Sequence, residues 1–302
     1  MLPPIIDSHV HWRDPVNNRY EALSDSASED GERGGSEAEV YLAADYLADA
    51  SGFDIAGIVH IEAEWDKSNP VGETDWLHDL IANDKTKGLP ISVVGFADLT
   101  ASNADETLEA HAAKPLTRGI RQMLNHVPGR PELCWSPVDL LENPIWRKNY
   151  GFLAKHGLGF DLMCFGHQME PMAKLAAQHR DIPLHLEHAG LPWDHTAEGR
   201  QVWRDGMRTL AKLEHADVKI SGLGNTVPDW TTASIRDYVL ETIDIFGVER
   251  VSFASNFPTD KQFSDMATIW NAFDEITKDF SDEERTAMFH DNAVRMYALK
   301  LD

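Results

Sequence analysis

Ile5-Ile6-Asp7-Ser8-His9-Val10-His11 is the stretch on which the fold turns. Two apolar residues lead into Asp7, and His9 and His11 follow at a spacing of two, so in an extended strand both imidazoles leave on one face. Held at the C-terminal end of a strand, such a pair can share one divalent metal or donate together to an anionic substrate. On spacing alone, two surface histidines just past a strand fit equally well.

The rest of the chain separates these readings. Further short apolar runs lie at 55–61, 91–96, 119–123, 158–163, 182–186, 218–223 and 250–254, each the length of a buried strand. Between them, stretches such as 39–50, 170–179, 201–215 and 234–246 carry apolar residues at helical spacing. Strands alternating with helices predict a parallel sheet, and eight such units predict an α/β fold of the (β/α)8 TIM-barrel type as a single domain over 1–302. A doubly wound sheet is the alternative, but no glycine-rich phosphate fingerprint follows the first strand. Two helical stretches, 265–278 and 282–299, come after the eighth run. The second begins with Ser281 and Glu284 at capping-box spacing and is expected to close the barrel from outside as an extra C-terminal helix.

Two segments break the alternation. Residues 14–39 read as a flexible acidic loop, either a lid over the barrel mouth or a disordered excursion. Residues 125–143, with Pro128, Gly129, Pro131 and Pro137, read as another loop on the strand-end face.

Composition narrows the partners. With 42% hydrophobic and 25% charged residues in 302, the chain has the balance of an ordinary globular protein. A net charge of -23 opposes binding to nucleic acid or an anionic membrane, which leaves a small-molecule substrate as the expected partner. Cys134 and Cys164 lack the spacing of a disulfide framework or a cysteine zinc site and fit a reducing cytoplasm. Met1-Leu2-Pro3-Pro4 has no signal-peptide pattern, and no apolar run approaches the roughly 18 residues of a membrane span. A cytoplasmic location is therefore expected, and a homo-oligomer is left open.

In a barrel of this type chemistry collects at the C-terminal ends of the strands. The residues there are His9 and His11, then His60 and Glu62, Arg121 with Asn125 and His126 beyond, Asp161, His185 and Glu187-His188, and Asn256 with Asp260. His60 and His185 sit inside apolar runs and read as satisfied core histidines rather than ligands. Arg118 and Arg121, three apart, face opposite sides of their strand, and Arg121 is taken as the inward one.

This set resembles the amidohydrolase superfamily, in its branch of small TIM-barrel hydrolases that includes sugar-acid lactonases and 2-pyrone-4,6-dicarboxylate lactonase. The resemblance spans nearly the whole chain. It is carried by Asp7-Ser8-His9-Val10-His11, Val59-His60-Ile61-Glu62-Ala63-Glu64-Trp65, Gly119-Ile120-Arg121-Gln122, Phe160-Asp161-Leu162, Glu187-His188-Ala189-Gly190-Leu191-Pro192 and Phe253-Ala254-Ser255-Asn256-Phe257-Pro258. It implies a hydrolase that opens a lactone or related cyclic ester of a small carboxylated or sugar-acid substrate. His9, His11 and His188 then polarise the carbonyl, either directly or as ligands of one divalent metal, for which zinc suits three imidazoles. The strand-eight position normally holds an aspartate that takes the proton from water, but here it is Asn256, which has no titratable group near neutral pH. The base is then sought at Asp260 or Glu62. Arg121 could pair with a substrate carboxylate, and Glu62, His126 and Trp65 stand beside the expected site as substrate contacts.

Rival readings remain at this stage. They are a metal-dependent amide or ester hydrolase, a non-oxidative decarboxylase in which His167 joins the site, and a non-catalytic small-molecule binding protein.

Overall fold

The structure is a computed structural model that describes residues 2–20, 39–89 and 91–301. Among these residues eight parallel strands form one sheet in sequence order, each paired with the next. They are β1 (Ile5–Val10), β2 (Ile55–Ile61), β3 (Ile91–Phe96), β4 (Thr117–Arg121), β5 (Gly159–Leu162), β6 (Leu184–Leu186), β7 (Ala216–Ile220) and β8 (Val251–Phe253). All eight expected strands are present. The sheet curls until its edges meet: His11 N–H donates to Phe257 O at 2.8 Å and Asn256 N–H to His9 O at 3.0 Å. Ser8 and Ser252 hydroxyls meet at 2.9 Å across the same seam. A barrel thus forms because buried strands covered on both faces leave no edge for water.

The helices between strands are α1 (Ala43–Asp49), α2 (Gly72–Ala82), α3 (Ala104–Ala112), α4 (Pro144–Tyr150), α5 (Phe152–His156), α6 (Gly166–Ala176), α7 (Ala197–Leu210) and α8 (Thr232–Phe246). After β8 come α9 (Met266–Ile276), α10 (Asp282–Thr286) and α11 (Asn292–Tyr297). Helix starts follow local chemistry. Thr196 Oγ1 accepts from Gly199 N–H to begin α7, Asp265 caps α9, and Ser281 with Glu284 forms the expected capping box of α10. Most of the 14–39 segment, residues 21–38, lies outside the described residues.

The expected C-terminal helix is present, with a π-helical segment inside it. The stretch 282–299 runs as α10 and α11 joined by that segment, Ala287–Asp291, and its end does more than cover the barrel. Tyr297 is fully buried and its hydroxyl donates to Asp161 Oδ1 at 2.6 Å, while Ser92 at the start of β3 donates to Tyr297 O. Asn292 Nδ2 likewise binds Val248 O and Val251 O at the start of β8. Tyr297 therefore plugs the N-terminal end of the barrel, opposite the end at which His9 and His11 emerge.

Candidate active site

The strand-one imidazoles converge. His11 Nδ1 lies 2.8 Å from Ile61 O, an acceptor with no hydrogen, so Nδ1 carries the proton and Nε2 presents a lone pair. His9 Nε2 is 3.0 Å from His11 Nε2. His188 follows β6 in a left-handed turn (φ 54°), with its ring centroid 4.5 Å from that of His9 and Nδ1 bonded to Ser221 Oγ at 2.9 Å. A single residue makes that approach feasible: Gly222 (φ 60°), where a Cβ would stand 2.4 Å from His188 Nδ1. Gly222→Ala is expected to displace His188 and lower turnover about 10²-fold, because misplacement by an ångström costs that much. Steady-state rates, with circular dichroism to confirm folding, check this.

Beneath the imidazoles the barrel is filled with charge. Lys219 on β7 is fully buried and bonds Asp161 Oδ1 at 2.6 Å and Glu187 Oε1 at 3.2 Å. Arg121 spans Glu62 (Nε to Oε1, 2.7 Å) and Glu187 (3.3 Å). Burial by itself would push the Glu187 carboxyl up, but the Lys219 and Arg121 charges outweigh it and bring it down to about 2. Burial, assisted by Lys219, holds His9 well below its usual range, and burial likewise lowers His188, to about 4. Burial, with the Arg121 charge beside it, holds His11 well below its usual range too, so all three imidazoles are neutral at physiological pH, the form that ligates metals.

The donor set fits a divalent cation. His9 Nδ1 is buried without a hydrogen-bond partner, 3.5 Å from the ionised Glu187 Oε1. If His9 carries its proton on Nε2, the bare Nδ1 faces a carboxylate. If it carries the proton on Nδ1, two Nε2 lone pairs face each other at 3.0 Å. Either neutral tautomer leaves a repulsive contact that a cation between the Nε2 atoms removes. Distance alone groups His9, Glu187 and His188, whose ligand atoms lie within 4.8 Å of one another. Both Glu187 oxygens are already held by cations, Arg121 and Lys219, whereas His11 Nε2 presents a lone pair 3.0 Å from His9 Nε2.

His11 and His188 face a cavity of 170 Å³ walled also by Arg13, Glu64, Arg121 and Asn256, with Tyr20, Met163 and Trp135 completing its sides, while His9 and Glu187 lie buried behind them. A family model for amidohydrolases matches residues 6–299. The chain belongs to the amidohydrolase family. A Sinorhizobium fredii protein called y4mH, uncharacterized, is 41% identical over 97% of this chain and 98% of its own. The L-fucono-1,5-lactonase of Burkholderia ambifaria is 26% identical over 69% of this chain and 70% of its own. In fold, the chain is similar to a Burkholderia multivorans amidohydrolase crystallised with bound zinc (TM-score 0.79, 22% identity, 99% and 100% of the two chains covered).

In this amidohydrolase Asn256 sits at the end of β8 in a left-handed conformation (φ 58°) and lines the cavity. Its Nδ2 donates to Asp260 Oδ1 at 2.7 Å, which leaves the amide oxygen as the acceptor of this side chain. Asp260 is buried behind Asn256 and is not among the residues lining the main cavity. Burial pushes its carboxyl up to about 7, against one lowering hydrogen bond from Asn256. A carboxyl raised on folding keeps its proton longer in the folded chain. Its contribution is therefore full below pH about 4 and is lost as pH rises through about 7. Asp260→Asn is expected to match the parent at pH 4 and to be more stable by about 4 kcal/mol at pH 8, read by urea unfolding.

The other expected site residues of the amidohydrolase are distributed unevenly. Arg121 lines the main cavity, and Glu62 lines a neighbouring one. Trp65 packs against Tyr20 and Trp76, and His126 bonds Ser136 O; neither lines the main cavity. His60 pairs with Glu73, and Arg118 turns outward to Pro115 O and Thr117 O, as expected. Sequence reasoning missed Lys219, Arg13, Glu64 and Asn225. Lys219 did leave a signal, a lysine in the middle of a buried-strand run, since lysine is almost never fully buried unpaired. Among the described residues no helix is long and apolar enough to cross a membrane.

Proposed function

We propose that this amidohydrolase opens a lactone of a small sugar-acid or carboxylated substrate by attack of water at the barrel mouth. The observation that carries the reading is the facing pair of His9 and His11 Nε2 atoms, 3.0 Å apart, with His188 on the wall of a cavity the size of one six-membered ring. A cavity of about 150 Å³ accommodates benzene, so 170 Å³ suits such a ring. The named activity of the 26% identical Burkholderia ambifaria relative supports the lactone as substrate.

His9, His11 and His188 would hold one zinc ion, which supplies Lewis acidity toward the carbonyl oxygen and acidifies water. The chain's own groups do the rest. Asn256, oriented by Asp260, accepts a hydrogen bond from the attacking water and aims its lone pair. Glu64, the one carboxylate lining the main cavity among the described residues, takes the water proton and returns it to the ring oxygen as the ester bond breaks. Arg121 and Arg13 place positive charge on the wall where the new carboxylate forms. His167, which a decarboxylase reading needs, binds His126 O at 3.0 Å and is not among the main cavity's lining residues.

The test is acid release from a panel of sugar-acid and pyrone lactones, with and without a strong chelator and added zinc. Turnover lost to chelator and restored by zinc is expected; silence across the panel in both conditions overturns the lactone reading. Glu64→Gln is expected to lower kcat by 10²–10⁴-fold, about the contribution of general base catalysis, with KM little changed.

A further inference from the structure

A second cavity adjoins the first. It measures 460 Å³ and lies among the loops that follow β2, β3 and β4. Glu64, Met123 and Trp135 line both spaces, so the two share a wall. The main cavity accommodates one ring; the pair accommodates a ring that carries a sizeable appendage.

The lining tells what that appendage is. It offers the amide of Asn103 and the carboxylate of Asp98, whose Oδ1 already accepts from Thr100 and Gln122, with Phe96 and Trp135 on the wall; the Ser68 and Thr107 hydroxyls donate to Asp66 Oδ1 and Asn103 O and have only acceptor capacity left for a ligand. Asn103 precedes α3 without capping it through its side chain, and Trp135 is 43% exposed, so both are available to a ligand. An apolar tail would take the Asn103 amide and the Asp98 carboxylate away from water without giving the amide a partner. A strongly anionic tail would meet Glu62, Glu64 and Asp98 with Lys67 as the one cation among the lining residues. A polyol satisfies both donors and acceptors, and its C–H faces cover aromatic rings.

Resting on the lactone-opening reading, we propose that this second cavity is a subsite for a glycosyl unit, so that the favoured substrate is the lactone of a disaccharide acid: the reacting ring lies under His11 and His188, and the second sugar lies between Phe96 and Trp135.

The experiment compares glucono-1,5-lactone with maltobiono-1,5-lactone, which share the reacting ring and differ by one glucosyl unit. The two-unit lactone is expected to show at least tenfold higher kcat/KM, and Ala101→Trp, which fills the second cavity, to abolish that advantage. Equal or lower kcat/KM for the two-unit lactone, with glucono-1,5-lactone turned over, overturns the subsite and leaves the lactone reading standing. If neither lactone is opened, calorimetric titration with maltobionate and gluconate decides the subsite separately. At least tenfold tighter binding of maltobionate, lost in Ala101→Trp, supports it; equal affinities overturn it.

Discussion

Lys219→Met is expected to destabilise the fold by about 3–5 kcal/mol, the cost of breaking a buried ion pair from one side. The side chain is fully buried and neutralises two carboxylates at once, Asp161 at 2.6 Å and Glu187 at 3.2 Å. Methionine fills nearly the same space but supplies no charge, so the loss is electrostatic rather than a packing defect. Asp161 keeps the Tyr297 hydroxyl, and Glu187 keeps Arg121 at 3.3 Å with the neutral His9 and His188 rings beside it. Urea unfolding at pH 7 reads the loss, and a change below about 1 kcal/mol would contradict the account. Adding Asp161→Leu should recover part of the stability, because an uncompensated carboxylate is then gone.

His9→Ala has the opposite profile: the fold is expected to survive while kcat/KM falls by about 10³-fold. Burial holds His9 neutral, and its Nδ1 has no hydrogen-bond partner, so its removal strands no charge and breaks no strong bond. What goes is the ring at the centre of the site, 3.0 Å from His11 Nε2 and 4.5 Å from the His188 centroid. Loss of one group that stabilises the developing oxyanion costs about 10²–10³ in kcat, and the remaining pair would hold a metal less tightly. Rates and bound zinc are measured on the same sample. A fall of less than tenfold, with zinc content unchanged, would remove His9 from the chemistry.

The two substitutions lie one layer apart in the same barrel and differ in how far the sequence revealed them. His9 and His11 were legible because a spacing of two on a strand puts two side chains on one face whatever lies around them. Arg121 was legible as the inward arginine for the same reason. Its engagement by Glu62 and Glu187 was not, since those partners come from strands 59 and 66 residues away along the chain. Trp65 and His126 looked equally well placed on loops beside the site, yet packing against Tyr20 and a bond to Ser136 O took them elsewhere.

The sequence by itself determined the order of strands and helices, and hence the barrel, because hydrophobic period and strand length are local properties. It also determined that His9, His11, His188 and Asn256 stand at strand ends, because position along a strand is local as well. Only the tertiary structure decided which atoms of those residues meet. The 3.0 Å approach of His9 to His11 Nε2, the Gly222 backbone against His188, the burial of Asp260 behind Asn256 and the Lys219 bridge under Glu187 all depend on closure of β8 onto β1 and on register between neighbouring strands. Those are contacts between residues remote in sequence, and short-range pattern carries no information about them.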